Sequence, residues 1–251
     1  MAVSPHPPLR RYYGSEAERS VFVRALFNRL APQYDTVNRI LSVGWGRSYR
    51  RTTLQRAGLT AGMRVLDLAT GTGLVAREAQ GLVGREGHVI GLDLTENMLA
   101  QARRTLRLPV VQARAELLPV GAARVDFLSM GYALRHVPDL DVAFSEFRRV
   151  LRPSGILLLL EFGRPSSALG NALAASYFRH FIPALCRLSG ADGARELLSY
   201  CWDTVDQCVP PGVIVNALTG AGFVDVTCES SMGVFRSYRA RRPAIADGTS
   251  C

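Results

Sequence analysis

The sequence predicts an α/β protein built on a doubly wound, mostly parallel sheet, and three observations carry that expectation. Short apolar runs alternate with segments of helical periodicity from about residue 64 to residue 162, the order expected of strands joined by crossover helices. The first apolar run passes through a glycine turn directly into a helix. The fifth, Ile156 to Phe162, is almost continuously apolar, as a central strand covered on both faces must be.

Residues 1–15 are rich in Pro, Arg and Tyr without periodicity and read as a flexible arm. Residues 16–60 read as an N-terminal helical lid. Val23, Leu26, Phe27 and Leu30 recur on one face of a helix from about Ser15 to Arg29. A second helical piece runs from Asp35 to Arg56, broken near Ser42 to Gly46, where Gly44 and Gly46 flank Trp45. A core follows over residues 61–164, with strands at Arg64–Ala69, His88–Leu94, Val110–Ala113, Val125–Met130 and Ile156–Phe162. Its helices are expected at Leu74–Val83, at Thr95–Arg107 and at Asp141–Leu151. Thr95 is placed to cap the second, with Glu96 in its first turn and Arg103 and Arg104 near its end. Pro153 and Gly155 stop the third. Pro165 to Pro211 breaks the alternation and reads as a helical cap inserted after strand five. Residues 212–242 close the core with a helix at Gly212–Thr219 and strands at Phe223–Glu229 and Gly233–Arg239, making seven strands, and residues 243–251 read as a flexible tail.

Composition narrows the function classes. With 251 residues, 48% apolar and 20% charged, the chain can bury a full core and is neither disordered nor membrane-spanning in its pattern. Its start has no apolar stretch of a secretory signal, so the expected location is cytoplasmic. Five cysteines without a C-x-x-C spacing point to no disulfide framework and no metal site. Every basic residue is arginine, which excludes a Schiff-base lysine, a pyridoxal-phosphate anchor and a Walker lysine. Ten arginines against three carboxylates in residues 1–60 hold seven of the nine net positive charges. That end of the chain is either a solvated basic face or a surface for phosphate, an acidic substrate or an anionic membrane. No helix-turn-helix, RNP or zinc pattern accompanies the charge, so no nucleic-acid partner is expected.

The stretch from Val65 through Asp67, Ala69, Gly71, Thr72 and Gly73 to Ala76 is the most informative. Gly71 and Gly73 allow a tight turn and a close approach to a ligand whose anionic group meets free amides at the helix start. Asp93, 20 residues beyond Gly73 at the end of the next strand, is placed to accept both hydroxyls of a ribose. Two nucleoside ligands fit. NAD satisfies the formal spacing Gly71-x-Gly73-x-x-Ala76 with its downstream acid. S-adenosylmethionine would set its amino-acid end at the turn and its adenosine at Asp93. Asp67 near the mouth of the first strand suits an ammonium group and would repel a pyrophosphate.

Beyond the turn, the chain resembles the ubiquinone/menaquinone-biosynthesis C-methyltransferase family, a branch of the class I S-adenosylmethionine-dependent methyltransferases, over about residues 22–240. The N-terminal signature is carried by Phe27 through Tyr34-Asp35-x-x-Asn38, Leu41-Ser42-x-Gly44 and the basic run Arg47 to Arg51. The cofactor turn is Leu66-Asp67-Leu68-Ala69-x-Gly71-Thr72-Gly73, and the strand-four loop is Leu134-Arg135-x-Val137-x-Asp139. Leu160-Glu161-Phe162-x-x-Pro165, Leu198-Ser199-Tyr200 and Ala221-Gly222-Phe223 complete the match.

The resemblance implies a Rossmann-like class I methyltransferase fold with a seven-stranded, mostly parallel sheet and helices on both faces. It implies S-adenosyl-L-methionine as cofactor, S-adenosyl-L-homocysteine as product and no metal. The expected cofactor contacts are Tyr34, Asp67, Ala69, Gly71, Thr72, Gly73, Asp93, Leu94, Met98, Arg114, Ala115, Glu116 and Gly131. Three positions depart from the family pattern: Arg114 replaces an acidic or amide residue, Gly131 a serine and His136 an asparagine.

Methyl transfer from a sulfonium is an in-line displacement, so the protein must align a nucleophile with the methyl carbon and exclude water. Arg135 is expected to stabilise a developing phenolate, His136 to exchange a proton, and Tyr34 to touch the methionine moiety. As structural alternatives, Arg135 would be a loop salt bridge, His136 a helix-cap contact and Tyr34 a packing aromatic. Tyr177, His180, Tyr200 and Trp202 of the cap are candidates for the acceptor pocket. The expected activity is C-methylation of an aromatic or quinol acceptor, with the arginine-rich N-terminal helices in peripheral contact with a membrane and a homodimer forming through the cap. The alternatives are a C-, O- or N-methyltransferase of a specialised natural product, which the altered strand-four loop favours, and a repurposed cofactor-binding protein.

Overall fold

The computed structural model describes residues 3–106 and 108–244. Among the described residues there are seven strands: β1 (Arg64–Leu68), β2 (His88–Asp93), β3 (Val110–Gln112), β4 (Val125–Gly131), β5 (Leu151–Phe162), β6 (Val224–Ser231) and β7 (Phe235–Arg241). They form one sheet in the order β3-β2-β1-β4-β5-β7-β6. β1 to β5 run parallel, and β7 is antiparallel to both its neighbours. Strand order reverses between β1 and β4, which opens a crevice at the carboxyl ends of the strands.

The helices are α1 (Glu16–Leu30), α2 (Tyr34–Leu41), α3 (Gly46–Ala57), α4 (Leu74–Val83), α5 (Glu96–Thr105), α6 (Leu140–Val150), α7 (Ala168–Ser176), α8 (Ile182–Leu188), α9 (Ala194–Asp206) and α10 (Pro211–Gly220). A 3-10 turn at Leu134–His136 precedes α6, and one π turn at Tyr177–Phe181 joins α7 to α8. Helix starts follow local chemistry. The Ser15 hydroxyl accepts from the Glu18 amide while Glu18 reaches back to the Gly14 amide, and Asp139 accepts from the amides of Asp141 and Val142.

The period-two alternation of the central strands sorts their side chains onto two faces. Leu66, Leu128, Leu157 and Leu159 pack with Phe144 and Phe147 of α6 and Leu218 of α10. Val65, Phe127, Leu158 and Leu160 pack with Leu54 of α3 and with Ala76, Ala79 and Val83 of α4. Phe144 and Phe147 are fully buried, each a stabilisation of about 2–3 kcal/mol in apolar area alone. A third cluster joins Leu26 and Leu30 of α1 and Val37 of α2 to Ile182, Leu197, Tyr200 and Trp202 of the cap. The segment expected as a lid therefore divides. α1 and α2 form one helical layer with the cap, whereas α3 belongs to the sheet.

β5 starts at Leu151, five residues before the expected Ile156. A bulge carries Pro153, Ser154 and Gly155 between the pairs Val125↔Leu151 and Phe127↔Ile156, so these helix breakers sit inside the strand. α5 ends at Thr105, and Arg107 lies outside the described residues. Thr95 stands at its N-cap without a capping bond, because its hydroxyl is given to Asp93.

Residues 3–15, expected as a free arm, are packed. The Val3 carbonyl accepts from the Leu140 amide at 2.9 Å and the Pro5 carbonyl from the Val209 amide at 2.8 Å. The cause lies in α1: Arg19 is fully buried, and a buried guanidinium needs acceptors. The arm supplies the His6 carbonyl at 2.8 Å and Ser4 Oγ at 3.3 Å, and Glu16 completes the set at 2.9 Å. Of the tail expected over 243–251, residues 245–251 lie outside the described residues.

Tyr13 anchors the arm, with its ring 5.7 Å from that of Phe22 and 6.5 Å from that of Tyr200. Replacing Tyr13 with Ala is expected to cost about 3 kcal/mol of stability in urea unfolding. A silent substitution would return the segment to a free arm.

Candidate functional site

The turn after β1 is built by backbone conformations that ordinary residues avoid. Gly71 has φ +58° and Gly73 φ +87°, both in the left-handed region that glycine enters without penalty. The Thr70 amide donates to the Leu92 carbonyl at 2.9 Å and the Gly73 amide to the Thr70 carbonyl at 2.8 Å, so the turn is tied to β2 as it feeds α4. No side chain caps α4 at Gly73, which leaves its first-turn amides for a ligand.

Asp93, at the end of β2, faces this turn. Its Oδ2 accepts from the Gly71 amide at 2.8 Å, and its Oδ1 accepts from the Thr95 amide at 2.7 Å and from the Thr95 hydroxyl. Burial pushes its carboxyl above the ordinary range. A carboxylate offers about four lone-pair sites, so its orientation is set before any ligand arrives and acceptor capacity remains.

Asp67 is buried beneath the turn, accepting from Thr70 Oγ1 and from Ser129 Oγ, each at 2.6 Å. Burial pushes its carboxyl up to about 6. Thr72 donates to Asp35 of α2 at 2.5 Å and fastens that helix to the turn.

A pocket of roughly 900 Å³, mouth included, opens at the crevice. One side is lined by Ala69, Gly71, Asp93, Leu94 and Met98, with Arg114, Ala115 and Glu116 beyond β3. The other side is lined by Ser20, Val23, Arg24 and Phe27 of α1, by Tyr34, and by the loop after β4. α1 is held over this site by two links to α5. Arg24 pairs with Glu96 at 2.6 Å. Asn28 accepts from the Asn97 amide at 2.9 Å through its side chain, and from Asn97 Nδ2 at 3.0 Å through its carbonyl.

The loop after β4 is fixed from below by Glu161. One of its oxygens accepts from the Leu134 amide at 2.7 Å, and the other pairs with Arg135. Arg135 also donates to Thr204 at 3.1 Å and lies 5.8 Å from the Phe162 ring. Above this pair, Tyr132 takes a positive φ of 60° and stacks on Phe162 at 4.7 Å.

His136 stacks on Tyr200 at 5.5 Å and meets the edge of Phe27 at 5.4 Å. Its Nδ1 lies 3.3 Å from the Tyr200 hydroxyl, whereas its buried Nε2 has no partner. Burial, with the charge of Arg135 beside it, holds the imidazole well below its ordinary value, so it is neutral at pH 7. Tyr34 is pushed up to about 12 by burial and keeps its proton.

Of the expected site residues, Tyr34, Ala69, Gly71, Asp93, Leu94, Met98, Arg114, Ala115, Glu116, Gly131 and His136 line the pocket. Asp67, Thr72, Gly73 and Arg135 do not. Asp67 and Thr72 brace the turn, and Gly73 has its would-be Cβ against Leu106. Arg135 is the loop salt bridge, because burial demands a carboxylate for its charge and Glu161 is in reach. Tyr177, His180, Tyr200 and Trp202 stand outside the lining, although Tyr200 supports His136 from behind. Sequence reasoning did not place Ser20, Val23, Arg24, Phe27 and Tyr132 in the site. The first four fall on one helical face, but the apolar spacing marks only Val23 and Phe27, and those as core, while Ser20 and Arg24 carry no apolar signal. Tyr132 belongs to the loop after strand four, at the edge of the sheet where ligands of open α/β folds bind, but nothing in the sequence singles it out within that loop.

A family model described as the ubiE/COQ5 methyltransferase family matches residues 14–240. The "Ubiquinone/menaquinone biosynthesis C-methyltransferase UbiE" of Syntrophotalea carbinolica is 38% identical over 205 residues, covering 80% of this chain and 85% of that protein. The protein of the same description from Edwardsiella ictaluri is 33% identical over 224 residues, covering 86% and 88%. Among solved structures, the Haemonchus contortus phosphoethanolamine N-methyltransferase 2 in complex with S-adenosyl-L-methionine is similar with a TM-score of 0.62 at 18% identity, covering 92% of this chain and 60% of that one. A Thermotoga maritima structure described as a SAM-dependent methyltransferase, possible histamine N-methyltransferase, is similar with a TM-score of 0.62 at 18% identity, covering 87% and 99%. These likenesses show the fold.

Arg135→Met leaves Glu161 buried without its partner and is expected to cost about 3 kcal/mol in chemical denaturation. An unchanged unfolding midpoint would make the ion pair dispensable. For His136, the folded protein refuses a proton that the unfolded chain accepts near 6.5, so this group lowers stability as pH falls below that value. Its ring resonances are expected to show no titration step in NMR between about pH 6 and about pH 8, and a midpoint at the ordinary value would mean a solvated ring.

Proposed function

The chain belongs to the ubiE/COQ5 methyltransferase family, and from that premise we propose that this S-adenosylmethionine-dependent methyltransferase acts on a ring carbon of an aromatic, quinol-type acceptor. The observation that carries this reading is the division of the pocket. A polar, backbone-rich half with Gly71 and Asp93 faces an aromatic half with Phe27, Tyr34, Tyr132 and His136.

The polar half fits the cofactor. The left-handed Gly71, whose would-be Cβ meets nothing within 4 Å, and the uncapped start of α4 suit the amino-acid end. Asp93 suits the ribose hydroxyls, and Leu94 with Arg114, Ala115 and Glu116 would border the adenine. Asp67, Thr72 and Gly73 act through the turn they brace. When bound, the cofactor supplies a methyl group on a positively charged sulfonium, which leaves as a neutral thioether. No group of three or more His, Cys, Asp or Glu among the described residues is placed to hold a metal ion.

The aromatic half orients the acceptor. Rings at Phe27, Tyr34 and Tyr132 offer flat faces and edges to a planar substrate. A ring hydroxyl set against Nε2 of the neutral His136 gains a hydrogen-bond partner, and electron density rises on the adjacent ring carbon. That carbon would form its bond to the methyl group as the carbon–sulfur bond breaks, and the ring proton it then loses passes to solvent, which restores aromaticity. Tyr34 keeps its proton and donates a hydrogen bond. Arg135 is a positioning residue that holds His136 in place through the loop. Closure by α1 excludes water from the displacement.

A second reading, methylation of a specialised natural-product phenol, is favoured by the His136 and Gly131 departures on the acceptor side of the pocket. Either acceptor is compatible with the cofactor half.

Calorimetry with S-adenosylmethionine, S-adenosylhomocysteine and NADH in parallel tests the cofactor. Tight S-adenosylhomocysteine binding that weakens about 100-fold in Asp93→Ala is expected, the loss of two charge-assisted hydrogen bonds. Binding of NADH alone would return the turn to a dehydrogenase. Methyl-label transfer to short-chain quinols, with the labelled atom located by NMR, then tests the acceptor. Label on natural-product phenols and none on quinols would favour the second reading.

A further inference from the structure

The cap carries an apolar stripe that the core does not use. Leu169, Leu173, Phe181, Leu185 and Leu188 are all exposed, and with half-buried Tyr177 they recur at steps of three and four along α7, the π turn and α8. Exposed Val43 and Trp45 lie in the turn between α2 and α3, and exposed Met232 lies in the turn between β6 and β7. These pieces adjoin at the carboxyl edge of the sheet. The Tyr177 hydroxyl donates to the Leu41 carbonyl at 2.8 Å. The Tyr49 amide donates to the Trp45 carbonyl at 3.0 Å. The Tyr49 ring lies 4.8 Å from that of Phe235, which lies 5.5 Å from Phe162 and through it reaches Tyr132 of the pocket. An aromatic path thus runs from the aromatic half of the pocket to the exposed patch.

The charges on these segments are of one sign. Residues 36–66, 162–191 and 230–242 contain arginines and no aspartate or glutamate. Arg47 and Arg51 share the single carboxylate of Glu78, and Arg164 and Arg179 pair with Asp206 and Asp203 of α9. Arg39 and Arg187 are exposed and have no carboxylate partner among the described residues.

We propose that this face, formed by the α2–α3 turn, the α7–α8 stripe and the β6–β7 turn, docks on an anionic lipid bilayer and presents the pocket mouth to the membrane surface. Leucine, phenylalanine and tryptophan side chains enter the headgroup and acyl boundary while arginines reach the phosphates. A second copy of the chain fits less well, because a two-fold contact sets the same arginine-bearing patch against itself. The inference rests on the quinol-type acceptor for its purpose, delivery of an acceptor held in the membrane by an apolar tail, while the surface is read independently of it.

The test is flotation of the full chain with phosphatidylcholine vesicles, with and without phosphatidylglycerol, and no acceptor present. The chain is expected to float with the anionic vesicles and to be released by salt. The variant Trp45→Ser/Leu173→Ser/Phe181→Ser is expected to bind them on the order of tenfold more weakly, with S-adenosylhomocysteine affinity unchanged as the sign of an intact fold. Absence of flotation, equal flotation of the variant, or a dimer in sedimentation that the variant converts to monomer would each overturn the surface. A chain that floats and binds S-adenosylhomocysteine but labels no quinol keeps the surface and overturns the acceptor. One that labels soluble quinols without floating does the reverse.

Discussion

Five parallel strands put five loops on one edge of the sheet, and that constraint governs the rest of the molecule. The reversal of order between β1 and β4 parts those loops, and the ends of β1 to β4 line the crevice while the end of β5 supports it through Glu161 and Phe162. Loops that leave a buried sheet carry backbone amides that need acceptors. Two carboxylates at strand ends meet that need, one on each side of the crevice. Asp93 holds the amides of Gly71 and Thr95, and Glu161 holds the amide of Leu134. Glu161 then takes a buried arginine as counter-charge. The loop after β4 owes its position to an ion pair that never reaches the pocket.

The two halves of the site follow from different kinds of contact, and they were legible to different degrees. Gly71 and Asp93 sit where a local rule puts them, at the end of an apolar run and before a helix, whereas Arg114, Ala115 and Glu116 beyond β3 are marked only by the family resemblance. The α1 face was not legible as a site, because Val23 and Phe27 have the same helical spacing as Leu26 and Leu30. The first pair lines the pocket and the second is core, and only the position of the cap separates them. Arg135 has the same difficulty, since nothing near it in sequence shows that Glu161, on another strand, takes its charge. The N-terminal arm failed to read as structure because its packing depends on a buried Arg19, and composition alone marks an arginine as exposed.

Ionisation in the site is arranged by burial more than by charge pairing. Burial shifts Asp67 and Tyr34 upward and His136 downward, each toward its neutral form, although Asp67 at about 6 stays largely ionised at pH 7. Four charged residues still line the pocket, Arg24, Asp93, Arg114 and Glu116, two of each sign. Much of the positive charge of the chain lies on exposed arginines, while Arg19, Arg50 and Arg135 are buried.

The hold of α1 on α5 has a kinetic meaning. Its ion pair, Arg24 with Glu96, is exposed on both sides, and exposed pairs of this kind contribute about 1 kcal/mol or less. Since α1 forms one wall of the pocket, a ligand that leaves past it must part this clasp. The clasp thus governs residence time more than equilibrium affinity, and its dependence on ionic strength makes the rate of product escape a property that dissolved salt can tune.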